Sequence, residues 1–352
     1  MKVVSIVGAR PQFIKAAAVS RVLRKRTTEI LVHTGQHYDE NMSAVFFEEL
    51  EIPEPDVNLG IGSGSQGEQT GAMLRAMEEV LLRERPDWTL VYGDTNSTVA
   101  GALAAAKLNI PVAHVEAGLR SFNRRMPEEI NRVVTDHIST LLFCPAQTAA
   151  DNLDREGIRN GVHVVGDVMA DALAFAVERA EHRSSVMDRL RLKPGGYLLA
   201  TIHRAGNTDD PARLARLLSA LDLLAKDEPV IFPAHPRTRK AMAALPSLCS
   251  AGLRCIEPVG SLDMVMLEKS ARLILTDSGG IQKEAYWLRV PCITLRDETE
   301  WVETVECGWN VLAGADTERI LRAVSSHTPP AAHPELYGDA HAANRVVELL
   351  AG

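Results

Sequence analysis

The stretch Leu273-Ile-Leu-Thr-Asp-Ser-Gly-Gly-Ile-Gln-Lys-Glu-Ala285 begins as an apolar run, breaks at Ser278-Gly279-Gly280 and continues in a helical pattern. This order predicts a strand that leads into a helix through a turn of small residues. The first turn of such a helix has unpaired N–H groups and the positive end of the helix dipole, and glycine lets an anion approach them closely. A bound phosphate is one interpretation, with the Glu284 carboxylate one turn further in, accepting ribose hydroxyls. An ordinary helix start capped by Ser278 is the other.

Short β-rich runs alternate with helical patterns along the whole chain in the same way. The predicted strands are Val3–Val7, Ile30–His33, Thr89–Tyr92, Val112–Val115, Leu141–Cys144, Val162–Val165, Tyr197–Thr201, Val230–Phe232, Arg254–Ile256, Leu273–Thr276, Cys292–Leu295 and Asn310–Leu312. Helices are predicted between them, one of them over Met42–Leu50. Such alternation is typical of parallel sheets with crossover helices, so the predicted class is α/β with two doubly wound domains.

The change-over between the two series of strands is the helical, charge-rich segment Asp171–Leu192. It places an N-terminal domain in residues 1–167 and a C-terminal domain in residues 168–334. In the remaining residues, 335–352, a last helix over Ala340–Leu350 is expected to cross back onto the N-terminal domain. Two such domains facing each other would form a deep cleft, lined by the carboxyl ends of strands, where ligands bind in open α/β sheets.

Composition narrows the class of protein. The chain has 352 residues, 46% of them hydrophobic, which is enough for two cores. No apolar run reaches the roughly 18 residues that span a membrane, and the strand-like N-terminus predicts no signal peptide. A formal net charge of −8 argues against a nucleic-acid binder. Five cysteines without a CxxC pair favour a reduced, cytoplasmic protein, with Cys144 and Cys292 as core residues.

Polar residues follow the predicted strands of the first domain. Arg10 and Lys15 come after the first strand, in a motif that is neither GxGxxG nor a P-loop. Cations at a helix start are unfavourable unless an anion lies beside them. Asp94 and Glu116 end two later strands, and Glu128 stands at the start of a predicted helix. Helix capping and solvated surface charge are the structural alternatives, although Glu116 has no capping position to explain it.

In the second domain, His203 and His235 each follow a strand with an arginine close by. One such histidine is more often structural, but two at strand ends are harder to explain in that way. Acids from one domain and a diphosphate cradle from the other together suggest proton transfer on a sugar nucleotide.

Nine motifs, in register, resemble the non-hydrolysing UDP-N-acetylglucosamine 2-epimerase family across nearly the whole chain: GARPQFIK, TGQHYD, YGDTNS, HVEAGLRS, MPEEINR, HRAGN, HPRTR, EPVG and LTDSGGIQKEA. Phe122-Asn123, Gly166-Asp-Val-Met169 and Arg296-Asp-Glu-Thr-Glu-Trp-Val-Glu303 are most similar to the branch that acts on the 2,3-diacetamido-glucuronate analogue of that substrate. The resemblance implies two Rossmann-like domains as in glycosyltransferases of the GT-B type, no metal and no nicotinamide. It implies loss of the C2 proton with expulsion of UDP, a 2-acetamidoglucal, and re-addition of UDP with inverted C2.

The roles of individual residues come from the same resemblance. The acid and base candidates are Asp94, Glu116 and Glu128, with His203 assisting the departure of UDP. The substrate-binding candidates are Arg10, Lys15, Ser278, Gly279 and Gly280 for phosphates, Glu284 for the ribose, and Val259 and Met264 for the uracil, with His235 and Arg237 as further contacts. A UDP-sugar ligand, a homodimer and a role in making cell-surface polysaccharide precursors are also implied.

Three departures from the family pattern matter. Gly206 stands where relatives usually carry Glu, which leaves open what holds the His203 loop. Trp301 replaces an arginine that touches the substrate in many relatives. Gln36-His37-Tyr38 replaces the Gln-His-Arg segment of relatives that need their substrate as an activator, so we do not expect such a second site.

Several alternatives stay open beside the epimerase. A GT-B glycosyltransferase would use the same cradle without needing three carboxylates, a hydrolysing relative would release free N-acetylmannosamine, and a non-catalytic module would only bind nucleotide. UDP-N-acetylglucosamine and its 2,3-diacetamido uronate relative are both candidate substrates. The extra C5 carboxylate of the latter requires a cation, for which Arg120, Arg124 and Arg125 are candidates.

Overall fold

The computed structural model describes residues 1–35, 49, 51–243 and 253–352, without the side chain of Arg237. Gln36-His37-Tyr38, Cys249 and nearly all of the predicted helix Met42–Leu50 therefore lie outside the described residues. The chain divides into two compact units, Met1–Phe175 with Tyr337–Gly352, and Ala176–Leu336.

The first unit is a parallel sheet with connecting helices. In chain order its described elements are β1 (Lys2–Val7), α1 (Arg10–Leu23), β2 (Thr28–His33), β3 (Val57–Asn58), α2 (Gln66–Glu84), β4 (Trp88–Tyr92), α3 (Asn96–Lys107), β5 (Val112–Val115), α4 (Pro127–Ile138), β6 (Leu141–Cys144), α5 (Gln147–Arg155) and β7 (Val162–Val164). Helix α6 (Val168–Arg183) begins in this unit and ends in the second. The strands pair in the order β3-β2-β1-β4-β5-β6-β7. The order reverses between β1 and β4, which makes the carboxyl ends of these strands the expected ligand site. Strand β3 was not predicted, because two residues are too short to show a periodic pattern.

The second unit repeats this architecture. Its described elements are α7 (Val186–Arg189), β8 (Leu198–Thr201), α8 (Ala205–Thr208), α9 (Pro211–Leu224), β9 (Val230–Pro233), α10 (Pro236–Ala243), β10 (Leu253–Ile256), α11 (Ser261–Ser270), β11 (Leu273–Thr276), α12 (Gly279–Trp287), β12 (Cys292–Thr294), α13 (Val302–Glu306), β13 (Asn310–Leu312) and α14 (Thr317–Ser326). The parallel order β10-β9-β8-β11-β12-β13 again reverses between its first strand and its fourth, β8 and β11. The predicted α/β class with two Rossmann-like, doubly wound units is confirmed.

The central strands of both sheets are buried on both faces, which explains their continuous apolar runs. In the first unit Val4, Ile6 and Val91 form one cluster with residues of α2 and α3. Burial of one such side chain contributes about 1.5–3 kcal/mol. Cys144 and Cys292 are buried free thiols, as predicted, and burial raises the pKa of each to about 12.

The end of the chain belongs to the first unit. Helix α15 (Ala342–Ala351) packs against α1. Asp171 holds its start by accepting the N–H groups of Ala342 at 3.2 Å and Ala343 at 3.0 Å. A carboxylate at this position also complements the positive end of the helix dipole. No helix among the described residues is long and apolar enough to span a bilayer.

The segment Asp171–Leu192 is helical as predicted, but it is divided into two helices, since α6 ends at Arg183 and the short α7 follows. Ser184 explains the break. Its hydroxyl donates to Asp263 at 2.6 Å and accepts from the N–H of Val186 at 3.3 Å. Serine bonds of this kind compete with the helical ladder, so periodicity alone could not place the end.

Candidate active site

The carboxyl edge of the first sheet is closely packed around the end of β1. Gly8 has no room for a side chain there, because a Cβ would collide with the hydroxyl of Ser97. Gln12, in the first turn of α1, accepts the N–H groups of Gly8 at 2.8 Å and Ala9 at 3.0 Å through Oε1. Sequence reasoning gave Gln12 no role, although it lies inside the GARPQFIK motif. Arg10 begins the same helix and is exposed.

Lys15 and Glu116 form a salt bridge between Nζ and Oε2 at this edge. Their side chains are largely buried, with 12% and 17% of their surface exposed. Burial alone lowers the pKa of Lys15, but the neighbouring Glu116 carboxylate outweighs burial and raises it. An ammonium group has three donors, so the contact with Glu116 leaves others for a phosphate.

Glu116 has a strained backbone directly after β5, with φ of +73°. This left-handed region is rare for a residue such as glutamate, costs about 1–3 kcal/mol and is found at functional sites more often than elsewhere. The N–H groups of Glu116 and Ala117 both donate to the Phe143 carbonyl at 3.1 Å, so β6 holds the turn. The strained backbone of Glu116 supports a functional interpretation of this residue over a structural one.

Asp94 follows a left-handed turn at Gly93, with φ of +62°, where β4 ends. Its carboxylate is paired with Arg132 of α4, and its carbonyl accepts from the side-chain amide of Asn131 at 2.9 Å. A Cβ on Gly93 would lie 3.3 Å from Glu116 Oε2, so the turn that carries Asp94 lies directly beside Glu116. The sheet edge therefore brings these two candidate residues together.

Two adjacent glutamates at the start of α4 have different environments. Glu128 is exposed, whereas Glu129 is only 3% exposed. Glu129 accepts the N–H groups of Ser121 at 2.8 Å and Phe122 at 3.0 Å, and a guanidinium N–H of Arg132 at 3.1 Å. Burial alone raises the pKa of Glu129, but these donors lower it. Glu129 thus organises the loop before the helix, and Glu128 stays open to a ligand.

In the second unit, the turn between β11 and α12 has the conformation that its sequence predicts. Ser278 caps the helix, and its hydroxyl accepts from the N–H of Ile281 at 3.4 Å. Among the described residues, the N–H groups of Gly279 and Gly280 have no acceptor. A Cβ on Gly280 would meet only the hydroxyl of Ser278, at 3.8 Å, so packing does not require a glycine there. A glycine at this position leaves the backbone N–H groups open to the close approach of an anion.

Asp277, which sequence reasoning gave no role, holds the loop that carries His203. It is fully buried and accepts the N–H groups of His203 and Arg204 at 3.1 Å and the side-chain amide of Asn207 at 3.0 Å. Its Oδ1 lies 3.2 Å from Nδ1 of His203, a half-exposed side chain. Burial alone raises the pKa of Asp277, but these donors lower it. Because Nδ1 faces this carboxylate, Nε2 is the ring nitrogen left for a ligand.

Gly206 and Trp301, which depart from the family pattern, both lie in the second unit. A Cβ on Gly206 would have no neighbour within 4 Å, so the loop needs no glycine there and is held by Asp277 instead. Trp301 packs onto the α12 turn, where its ring N–H donates to the Gly279 carbonyl at 2.8 Å. Lys283 Nζ lies 4.1 Å from the centre of this ring, at a cation–π distance.

Glu284 lies one turn into α12 and is half-buried. Burial raises its pKa to about 6, against the opposing effect of Lys283. Glu268 of α11 is buried, and its Oε2 has no partner within the described part of the chain. Burial and the nearby Glu284 together raise the pKa of Glu268 well above its usual range. Glu284 is the more exposed of the two carboxyls and so the one whose charge is less costly. Val259 and Met264 are half-buried and pack against the core cluster that contains Ala285 of α12.

The sequence model of the UDP-N-acetylglucosamine 2-epimerase family matches residues 21–351. The chain belongs to this family. Its members are isomerases. A UDP-N-acetylglucosamine 2-epimerase homolog of Methanococcus maripaludis is 54% identical over 356 residues, which cover 99% of each chain. A UDP-2,3-diacetamido-2,3-dideoxy-D-glucuronate 2-epimerase of Pseudomonas aeruginosa is 49% identical over 359 residues, which cover 100% of this chain and 99% of the relative.

Solved structures of the UDP-GlcNAc 2-epimerase of Methanocaldococcus jannaschii have the same fold. One aligns with a TM-score of 0.90 at 46% identity, covering 100% of this chain and 99% of that one. A complex of it with UDP-GlcNAc and UDP aligns with a TM-score of 0.82 at 47% identity and the same coverage. The GT-B architecture of this epimerase family is thus shared over the full chain.

The sequence made Arg120 a candidate cation for the carboxylate of a uronate sugar. The structure contradicts that interpretation. The Arg120 side chain is buried, and its guanidinium donates to Asp136 at 2.7 Å and to both oxygens of Glu156 at 2.7 and 2.8 Å. Arg124 and Arg125 are exposed and remain candidates. His235 is exposed at the end of β9, and no cluster of three metal-ligating side chains occurs in the described ranges.

Proposed function

We propose that the protein is a non-hydrolysing C2 epimerase that interconverts UDP-N-acetylglucosamine and UDP-N-acetylmannosamine. The observation that carries the proposal is the presence of two chemical sets in one chain. The first unit has Asp94, Glu116 and Glu128 at one sheet edge or helix start, and the second has two glycine N–H groups open to an anion. The carboxylates suit proton transfer, and the glycine turn suits a diphosphate. A solved relative in complex with UDP-GlcNAc and UDP supports the same choice.

The proposed reaction is an elimination followed by the reverse addition. One carboxylate accepts the C2 proton, the electron pair of the C2–H bond forms a C1=C2 double bond, and the bond from C1 to the diphosphate oxygen breaks. Protonation of the 2-acetamidoglucal on its other face and return of UDP to C1 give inverted C2. Proton transfer by positioned groups typically contributes about 10²–10⁴-fold. Fixed donors on the departing diphosphate supply the larger part of the acceleration.

The remaining candidates would bind and release the nucleotide. His203, aligned by Asp277, assists the departure of UDP through Nε2. The groups that hold the nucleotide are Arg10, Lys15, Ser278, Gly279 and Gly280 at the phosphates, Glu284 at the ribose, and Val259 and Met264 at the uracil. Glu284 suits this task because a carboxylate has two oxygens that accept hydroxyls.

A second candidate substrate is UDP-2,3-diacetamido-2,3-dideoxy-glucuronate, in the same reaction. The relative that is 49% identical carries that activity in its name, and the exposed Arg124 and Arg125 could pair with the additional sugar carboxylate. We also propose a cytoplasmic homodimer that serves the synthesis of cell-surface polysaccharide precursors. Light scattering of the purified protein tests the dimer directly.

Proton NMR in D₂O, without added metal or nicotinamide, tests the reaction. UDP-N-acetylmannosamine carrying deuterium at C2 is the expected product from UDP-N-acetylglucosamine. Free N-acetylmannosamine would instead indicate the hydrolysing reaction, and release of UDP only in the presence of an acceptor would indicate a glycosyltransferase. Turnover of the diacetamido uronate alone would select the second substrate. Exchange with neither sugar, in protein that still binds UDP, would refute epimerase activity.

Two substitutions separate catalysis from binding. Asp94→Asn and Glu116→Gln keep the size of each side chain and remove its charge, so we expect kcat to fall by about 10²-fold or more. The Kd for UDP should stay close to that of the wild type in Asp94→Asn, whereas Glu116→Gln frees Lys15 from its carboxylate partner and should leave UDP binding equal or tighter. A loss of UDP binding equal to the loss of turnover would contradict the catalytic assignment.

A further inference from the structure

His114 is a buried histidine that the proposed reaction does not use directly. It lies in β5, two residues before Glu116, and is fully buried. Its Nδ1 lies 2.7 Å from Asp136 Oδ1, and its Nε2 lies 2.8 Å from the Gly93 carbonyl oxygen. Each ring nitrogen therefore faces an oxygen at hydrogen-bond distance.

Neither of these oxygens can donate a proton. A backbone carbonyl is only an acceptor, and so is an ionised carboxylate. Asp136 also accepts the N–H of Gly118 at 3.1 Å and a guanidinium N–H of Arg120 at 2.7 Å. Burial alone raises the pKa of Asp136, but the ring of His114 and the Arg120 guanidinium lower it, and Arg120 does so whatever the state of the ring. Both nitrogens of His114 must then carry protons, which makes the ring an imidazolium.

The charges of the surrounding groups agree with this protonation state. His114, Asp136, Arg120 and Glu156 form one chain of contacts that runs from the buried ring to the surface, where Glu156 is 27% exposed. With an imidazolium the chain holds two positive and two negative charges. With a neutral ring it would hold one uncompensated negative charge next to a buried strand, which is costly. The Cys144 thiol beyond Asp136 is neutral, since burial raises its pKa to about 12.

The Gly93 carbonyl is the link from His114 to the candidate catalytic groups. Gly93 also donates its N–H to the Val115 carbonyl at 3.0 Å, so β5 holds the turn from both sides. The turn carries Asp94, and its Cα faces Glu116, since a Cβ there would lie 3.3 Å from Glu116 Oε2. A shift of this one turn would move one carboxylate relative to the other.

We propose that His114 is a positioning residue, a buried imidazolium that holds the Gly93 turn and so fixes Asp94 relative to Glu116. The charge matters because a cation donates a stronger hydrogen bond to the carbonyl than a neutral ring does. The expected effects on kcat rest on the proposed epimerase function. The protonation state of the ring is independent of any substrate.

Nitrogen NMR of the protein labelled with ¹⁵N-histidine tests the protonation state. The His114→Gln variant identifies the signal among the chain's 11 histidines. Two protonated ring nitrogens at neutral pH are expected in the wild type. A ring with one protonated and one bare nitrogen would overturn the proposal, and this result does not depend on activity.

Asp136→Asn tests the positioning role, because it removes the anion and leaves a positive excess that favours a neutral ring. We expect loss of the imidazolium signal and a fall in kcat of about 10²-fold, as for a small misplacement of reacting groups, with KM within about threefold. Glu156→Gln is the matched control. It removes the same charge, but Glu156 is 27% exposed and contacts Arg120 instead of the ring, so water screens its loss and the variant should retain both signal and kcat. An Asp136→Asn variant with wild-type kcat would refute positioning. A wild type inactive on both sugars would refute the proposed function, while the imidazolium signal would still decide the state of His114.

Discussion

Replacing Asp277 by Asn tests whether one buried carboxylate holds the His203 loop. The two oxygens of Asp277 accept from the N–H groups of His203 and Arg204 and from the amide of Asn207, at 3.0 to 3.2 Å. An asparagine retains one of these oxygens and turns the other into an NH₂ group that faces donors. A hydrogen bond to a charged group is worth about 1.5–3 kcal/mol, and an unsatisfied buried donor costs about 1–3 kcal/mol. We therefore expect the free energy of unfolding to fall by about 2–4 kcal/mol.

Urea denaturation followed by tryptophan fluorescence is the suitable assay, since Trp287, Trp301 and Trp309 all lie in the second unit. The pKa of Asp277 is lowered in the folded protein, so its stabilisation is present above the unfolded pKa of about 3.9 and is lost as the pH falls through the folded value. The difference between wild type and variant should hence be constant from pH 6 to 8 and shrink below about pH 4.

Activity gives the second readout of the same substitution. His203 loses the partner of Nδ1, so we expect kcat to fall by about 10²-fold through misplacement of Nε2. Asp297→Asn is the matched control, because Asp297 is 70% exposed and pairs with Arg213 at the surface, where such a pair is worth about 0–1 kcal/mol. An Asp277→Asn variant as stable as this control, with kcat within about twofold of the wild type, would refute the reasoning.

Four further substitutions follow from the local geometry. Glu129→Gln should lower the free energy of unfolding by about 1–3 kcal/mol in urea denaturation, whereas Glu128→Gln should leave it unchanged and lower kcat by about 10²-fold; equal effects of the two would contradict their assignment. Gly279→Ala adds a Cβ with no neighbour closer than 3.5 Å, so folding should be normal while calorimetry shows the Kd for UDP raised about tenfold; unchanged affinity would remove the phosphate from this turn. Gly206→Glu should leave the free energy of unfolding within about 0.5 kcal/mol, and a gain in kcat would show that Asp277 alone holds the His203 loop incompletely.

Sequence patterns were sufficient for the parts of the molecule that depend on periodicity. A buried parallel strand needs a continuous apolar run, and runs such as Leu273–Thr276 and Val112–Val115 end where the structure ends them. The same logic placed Asp94 and Glu116 at a common edge, because the carboxyl ends of parallel strands meet there. It could not show that Glu116 has a positive φ or that Lys15 contacts it, since both depend on contacts between segments far apart in the chain.

Neighbouring acids mark the limit of sequence reasoning most clearly. Glu128 and Glu129 are chemically identical at the start of one helix, and only the direction of the helix face makes one a ligand for the Ser121 loop and the other a surface group. Asp277 had a usable signal, an acid at the end of a buried strand, which is the signal that singled out Asp94. Its position beside Ser278-Gly279-Gly280 drew the interpretation to the phosphate instead. The prediction for Arg120 was wrong for a different reason. An arginine in a motif indicates a nearby anion, but the sequence does not show whether that anion is a ligand or, as here, the carboxylates of Asp136 and Glu156.

Lys15 has two proposed partners, the Glu116 carboxylate and a phosphate of the nucleotide. A phosphate role and a salt bridge with Glu116 are compatible, because the ammonium has three donors and only one direction is used by the carboxylate. A diphosphate bound at Lys15 would compete with Glu116 for the same charge and weaken the hydrogen bond that occupies Glu116 Oε2. That oxygen would then be better able to accept a proton when the leaving group is in place than when it is absent. Binding of the nucleotide would in this way prepare the base, and the free enzyme would keep its carboxylate neutralised in a largely buried position.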